Sequence, residues 1–168
     1  YIPQHVEEYM HSTESIGIQF GIPYEESLPI DIIGMSEQYL TKNGQYLGGV
    51  ADPENLFPKN NAITDILLNK ILPDIRRLGW YGVGSLDVLT IRRSNFVVVD
   101  PNFRMTYMTP YLFALCNNEV QRRMMALTFT YKGNEDDLKR KLIPLVSGSS
   151  MRRTLHVIAM TRHNSIFR

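Results

Sequence analysis

The residues best equipped for chemistry stand in two stretches, Gly82-Val83-Gly84-Ser85-Leu86-Asp87 and Val99-Asp100-Pro101-Asn102-Phe103-Arg104. In an extended strand, side chains two apart share a face, so Asp100 and Asn102 project together while Pro101 points away. If the preceding strand pairs antiparallel with this one, Asp87 can sit beside them. Two anionic oxygen donors and one neutral donor then meet, a set suited to a hard cation such as Mg²⁺ rather than to zinc. Arg104 extends the alternation to a third position, and its planar fork of donors could hold phosphate. Taken alone, Asp100-Pro101-Asn102 also reads as a strand ending in a turn, since all three are common turn formers. That alternative gives no reason for a second carboxylate, Asp87, on the neighbouring strand next to two glycines.

The elements that must position these residues follow from hydrophobic periodicity. Apolar Ile16, Ile18, Phe20 and Ile22 alternate with Gly17, Gln19 and Gly21, the period of a strand with one buried face. Ile2 to Met10 reads as an earlier strand. Ile30 to Leu40 and Gln45 to Val50 flank Asn43-Gly44, which tolerates the positive φ of a tight turn, so the two should pair antiparallel. Asn60 or Asn61 can cap a helix with the stripe Ile63, Ile66, Leu67, Ile71, Ile75 and Leu78, stopped by Gly79 and kinked or broken at Pro73. Leu86 to Ile91 and Asn95 to Pro101 form a second hairpin around Arg92-Arg93-Ser94. The apolar run Phe96-Val97-Val98-Val99 suggests a central strand covered on both faces. Tyr107 to Leu115 reads as a short helix. Beyond it come a strand over Met124 to Tyr131, a helix capped from Asn134, and a strand over Leu155 to Met160, a β-α-β pattern.

With these elements in order, the sequence resembles the ATP-grasp superfamily of carboxylate-amine and carboxylate-thiol ligases. Its members carry an acidic residue on one strand, then an acidic residue and Asn two apart on the next, and this triad holds the Mg²⁺ of ATP. The pattern falls here on Asp87, Asp100 and Asn102, and Arg104 matches the Arg that often follows. Val6-Glu7-Glu8-Tyr9-Met10 with Glu14 looks like the family's hinge strand. By that resemblance Glu7 and the backbone of Glu8 and Met10 would contact adenine, and Glu14 would reach the ribose hydroxyls. Outside the resemblance, Glu7, Glu8 and Glu14 read as solvated surface. Two departures stand out: Asp100 occupies a position where most members have Glu, and Ser85 stands where D-alanine ligases carry a phosphate-contacting Arg.

The resemblance, which runs from Ile2 to about Leu115, implies an α+β fold, an ATP-grasp-like C-terminal lobe over residues 1–118 with a mainly antiparallel sheet and helices on one side; the strand-helix-strand order beyond it suggests a small β-α-β appendage over 119–168. The resemblance also implies ATP and Mg²⁺, or Mn²⁺, as cofactors, with small carboxylate and amine or thiol substrates. The family's glycine-rich lid lobe would lie upstream of Tyr1, in a missing N-terminal lobe of the same protein, so this chain by itself is expected to be inactive. The alternative is a catalytically inactive ATP-grasp-like binding or assembly module. An unrelated Mg²⁺-dependent phosphotransferase would need a general base near the triad, and none stands close in sequence.

Composition agrees with a globular chain. Across 168 residues, 18 Lys and Arg balance 17 Asp and Glu to a formal +1, so no global field gathers nucleic acid or anionic membrane. The arginines of the last third, from Arg122 to Arg168, read as solvated surface. The lone Cys116 reads as a half-buried structural thiol, and a cytoplasmic location is expected from the lack of a signal pattern or long apolar run; a homodimer is a further option. Gly82-Val83-Gly84 precedes a strand rather than a helix, so close backbone approach explains it better than a dinucleotide fingerprint. Ser147-Gly148-Ser149-Ser150 reads as a loop. His5, His11, His156 and His163 are scattered singly, which argues against zinc.

Overall fold

The computed structural model describes residues 14–58, 61–91, 95–117, 123–127, 131–134, 136–138 and 140–141. The strands expected over Ile2–Met10 and Leu155–Met160, the turn Arg92-Arg93-Ser94, the four histidines and the Ser147–Ser150 loop lie outside these residues, as do Glu7, Glu8 and Met10.

Among the described residues six strands form one sheet: β1 (Glu14–Ile22), β2 (Asp31–Leu40), β3 (Tyr46–Ala51), β4 (Gly82–Ile91), β5 (Asn95–Asn102) and β6 (Met124–Leu127). Their spatial order is β5-β4-β1-β2-β3-β6, and every neighbouring pair is antiparallel. β1 therefore lies inside the sheet, and its alternation sorts two environments. Ile16, Ile18, Phe20 and Ile22 are buried with Leu86 and Val88 of β4 against Ile63, Leu67 and Leu72. The other face carries Ser15, Gly17, Gln19 and Gly21.

The apolar face is covered by α1 (Asn61–Ile66), a π-helical turn (Leu67–Ile71) and α2 (Leu72–Arg77). The expected interruption lies just upstream of Pro73, as the π-helical turn between two short α-helices. Pro73 falls in the first turn of α2, where a missing N–H costs least. The widened turn lies just upstream, its last bond running from the Leu72 N–H to the Leu67 carbonyl. The five-residue step shifts the helix's phase, so the buried stripe runs Ile63, Leu67, Leu72. Leu78, expected on that stripe, is 87% exposed. Gly79 ends the helix at φ +87. Arg76 donates to the carbonyls of Pro23, Glu26 and Leu28 and ties the β1–β2 loop to α2.

Four further expectations change. Among the described residues β5 is the outermost strand of the sheet, not a central one: Phe96 and Val98 pack on the core, but Val99 is 45% exposed. Helices are not confined to one side, because α3 (Thr109–Cys116) packs through Leu112 and Leu115 on a second cluster with Ala51, Met108 and Ala126. The strand over Met124–Leu127 joins the main sheet beside β3, and the chain divides into two compact units between residues 128 and 129. Cys116 is exposed, and its thiol donates to the Ile33 carbonyl at 2.8 Å. The second unit carries the expected helix start, with the Asp137 N–H donating to Asn134 Oδ1 at 2.8 Å.

The β2–β3 turn follows its sequence: Gly44 takes φ +76, and Thr41 Oγ1 accepts from the N–H groups of Asn43 and Gln45. Among the described residues no helix is long and apolar enough to cross a membrane. At Gly48, an added Cβ would lie 2.1 Å from the Ala126 carbonyl oxygen, so β6 docks only against a bare backbone. Gly48→Ala is expected to cost about 1–3 kcal/mol, the range of an overpacked site. Urea denaturation measures the loss, and faster hydrogen exchange across β6 locates it.

Candidate functional site

The polar face of β1, β4 and β5 is a grid of short side chains set by register. One row runs Gly34, Gln19, Ser85, Asn102, and the next runs Ser36, Gly17, Asp87, Asp100. Gly17 lowers the floor between them: a Cβ there would lie 3.2 Å from Gln38 Nε2, 3.4 Å from Ser36 Oγ and 3.6 Å from Asp87 Oδ1.

Asp87 and Asp100 share this face because of a bulge. Val88 opposes Val98, but Asp87 opposes Asp100, leaving Val99 as the extra residue of β5. Regular pairing would set Asp87 against Val99 and bring Asp100 opposite Leu86, on the core face. With the bulge, Asn102 Nδ2 donates to Asp87 Oδ2 at 3.5 Å and to Asp100 Oδ2 at 3.4 Å. Both are long bonds from a single amide. Asp87 Oδ1 accepts a shorter one, 2.8 Å, from Gln38 Nε2, and Gln38 Oε1 accepts in turn from Ser15 Oγ at 2.7 Å. One carboxylate oxygen of Asp87 is thus held by the sheet, and the other faces Asp100 and Asn102.

Burial, and secondarily the charge of Asp100, pushes the Asp87 carboxyl above its ordinary range, against the lowering pull of Gln38, Asn102 and Arg104. The Tyr46 phenol is pushed up by burial and by the charges of Asp87, Tyr107 and Tyr111, which marks a tyrosine-bordered flank to the site. Gln19 is fixed because its Oε1 accepts from Thr106 Oγ1 at 3.0 Å and Thr109 Oγ1 at 2.7 Å. Ser85 is fully buried, and its Oγ has no hydrogen-bond partner among the described residues. An unmade bond of this kind costs about 1–3 kcal/mol.

The donor set fits a hard divalent cation: two carboxylates from adjacent strands and one amide, all oxygen-bearing. Among the described residues no group of three His, Cys, Asp or Glu comes together, so Asn102 is needed to complete the set. Its amide presents nitrogen to the carboxylates here, and ligation requires it to turn its oxygen toward them.

Of the residues singled out by sequence, Asp87, Asp100 and Asn102 come together. Arg104 is exposed, with Nη1 3.5 Å from the Met105 carbonyl, and near enough for its charge to act on Asp87. Glu14 is not brought to them. By alternation it shares the core-side face with Ile16, and its side chain meets Thr90 Oγ1 at 3.5 Å. Sequence reading missed Gly17, Gln38 and Tyr46. The small polar residues alternating through Ser15-Ile16-Gly17-Ile18-Gln19 were the available signal, since a strand with one such face must turn it to solvent or to a ligand.

No protein-family model matches the chain, and no curated protein sequence matches it. Among solved structures, it is similar to the biotin carboxylase domain of a thermophilic 2-oxoglutarate carboxylase bound to ADP, at 18% identity and a TM-score of 0.47, over 62% of this chain and 22% of that one. It is similar to Campylobacter jejuni biotin carboxylase in its β,γ-ATP complex, at 12% identity and a TM-score of 0.47, over 77% and 28% of the two chains. A third is the biotin carboxylase domain of Hydrogenobacter thermophilus 2-oxoglutarate carboxylase, at 14% identity and a TM-score of 0.43, over 62% and 24%. The chain spans roughly a quarter of the length of these structures. At such identities no residue-for-residue role follows.

The raised Asp87 carboxyl has a definite sign for stability. Folding disfavours its charged form, so its contribution is fully present below the unfolded-state pKa and is lost as pH rises through the higher folded value. Asp87→Asn, which keeps an oxygen for Gln38, is therefore expected to melt above the parent at neutral pH, with the gap closing in acid. Thermal melts of both proteins across that range check the direction.

Proposed function

We propose that this chain is the Mg²⁺- and nucleotide-binding C-terminal part of an ATP-dependent ligase that joins a small carboxylate to an amine or thiol through an acyl phosphate. The observation that carries the reading is the meeting of Asp87, Asp100 and Asn102 on the polar sheet face, with one amide touching both carboxylates. In this reading the free oxygen of Asp87, the carboxylate of Asp100 and the Asn102 amide oxygen hold Mg²⁺ or Mn²⁺. The cation would supply charge neutralisation at a transferred phosphoryl group. Gln38 orients Asp87 from below, and Gly17 keeps the floor open for phosphate oxygens. Arg104 adds a positive charge beside the carboxylates, and its exposed guanidinium can swing to a phosphoryl oxygen. Glu7, Glu8 and Met10 would line the adenine pocket, as the resemblance to the superfamily implies. The acceptor would bind through surfaces beyond these residues, and a lid lobe from elsewhere in the same protein would exclude water.

Asp100 is the residue to test, because it is exposed and its loss leaves the Gln38–Asp87 bond intact. Titrating ATP into the chain with and without Mg²⁺ is expected to show metal-dependent affinity. Asp100→Asn should weaken it about tenfold or more, as for loss of a charge-assisted contact. In the full-length protein the same substitution should lower turnover by roughly 10²–10³, with the metal-free melting temperature unchanged or raised because Asp87 and Asp100 no longer repel. Nucleotide affinity indifferent to Mg²⁺ and to Asp100 would defeat the ligase reading and leave the inactive binding or assembly module.

A further inference from the structure

We infer that Tyr46, Tyr107 and Tyr111, with the Asp87 carboxylate beside them, form a subsite for a primary ammonium group, so that the acceptor is an amine rather than a thiol. The inference rests on the ligase reading and names the acceptor's class within it.

Two separate elements bring the tyrosines to the polar face. The first is β3. Gly49 opposes Gln38 and Gly48 opposes Tyr39, but Tyr46 opposes Leu40, leaving Leu47 as an extra residue. Strict alternation from Gly49 would turn Tyr46 away from the face of Gln38. The bulge returns it to that face, where Gln38 holds Asp87. The second element is α3 with the turn before it. Thr106 and Thr109 bond to Gln19, and Met108 and Leu112 lie over the bare backbones of Gly49 and Gly34, 3.0 and 3.2 Å from where a Cβ would stand. Tyr107 and Tyr111 each precede a residue of this seam and rise beside it: Tyr107 is 53% exposed and Tyr111 is partly buried.

The three phenols stand close enough to act on one another, and Asp87 acts on Tyr46. Among the described residues none of their hydroxyls has a hydrogen-bond partner and none of their rings stacks on another aromatic ring. Neither Asp87 nor Asp100 forms an ion pair among those residues. Free π faces, phenol oxygens and a half-buried, unpaired carboxylate make a corner of one electrostatic sign, which selects a cation over an anion. An apolar guest would strip water from Asp87 and return nothing. A thiol brings no positive charge to this corner, and an amine at neutral pH does. Strand order keeps the ammonium apart from Mg²⁺. Asp100 and Asn102 lie on the β5 side of Asp87, and Tyr46 lies on the β3 side, beyond Gly17 and Gln38.

The test uses the 168-residue chain with n-butylammonium chloride as the probe, and n-butanol and sodium butyrate as its neutral and anionic counterparts. Tyrosine ring resonances are followed by NMR as each is added. The ammonium is expected to move the rings of Tyr46, Tyr107 and Tyr111 at concentrations where the alcohol and the carboxylate move none. Tyr107→Ala should weaken its affinity about fivefold, the scale of one cation–π contact, and Tyr107→Phe, which keeps the ring, should stay within about twofold of the parent. The backbone spectrum verifies that each variant is folded. An equal response to butanol, a preference for butyrate, or parent-like affinity in a folded Tyr107→Ala would overturn the inference. The Mg²⁺-dependent ATP affinity of the parent chain is read separately. Rings indifferent to the ammonium in a chain that binds ATP with Mg²⁺ would overturn the subsite alone. Rings that respond in a chain that does not bind ATP with Mg²⁺ would uphold the ammonium subsite and overturn the ligase reading.

Discussion

A single extra residue in β5 is the constraint on which the site depends. Side chains in a sheet alternate with a period of two, so one inserted residue exchanges the faces of everything beyond it. Val98 opposes Val88 on the core side, Val99 is the added residue, and Asp100 then opposes Asp87 on the polar side. Before the bulge β5 contributes Phe96 and Val98 to the core, and after it the same strand contributes Asp100 and Asn102 to the candidate site. Among the described residues β5 is the outermost strand, which makes this tolerable, because a strand paired on one side has one fewer ladder to disrupt.

The bulge would have no effect without a two-faced strand beside it. β1 supplies apolar branched and aromatic side chains to one face and Ser15, Gly17 and Gln19 to the other, and it pairs on both edges. Burying its apolar face under α1 and α2 obliges its polar face to be the one on which ligands could act. The polar groups are held by specific bonds: Ser15 orients Gln38, Gln38 orients Asp87, and Thr106 and Thr109 orient Gln19. Asp87 is thus half-buried and set near a second carboxylate on a floor that is otherwise neutral; burial first, and then the charge of Asp100, raises it and makes the arrangement receptive to a counter-charge.

Aromatic packing brings the end of β5 close to β1 and β4. Trp80 stands edge-on to Phe20 and tilted to Phe103, with ring centroids 5.6 and 5.1 Å away. Gly84 makes room for this, since a Cβ there would meet the Phe20 ring at 2.7 Å and the Asn102 carbonyl at 2.9 Å. Gly84 therefore serves close approach of a neighbouring strand, whereas Gly82 is set apart by its φ of +129.

Local pattern was enough for much of this. The alternation of β1, the Asn43-Gly44 turn, the helix stop at Gly79 and the i, i+2 relation of Asp100 to Asn102 are each decided by residues a few positions apart, where backbone geometry leaves little choice. Three outcomes needed the assembled molecule. The phase of the buried helix stripe depends on a π turn that accommodates Pro73 against the sheet, so Leu72 is buried while Leu78 faces solvent. The outermost place of β5 among the described residues depends on strand order, to which an apolar run such as Phe96–Val99 is blind. Whether Asp87 meets Asp100 depends on a register change in pairing between strands, and the thirteen-residue separation of the two carboxylates is compatible with either face. Sequence by itself determined which residues carry oxygen donors and which of them lie two apart; only tertiary pairing decided their common face, because register belongs to the contact between strands and not to either strand alone.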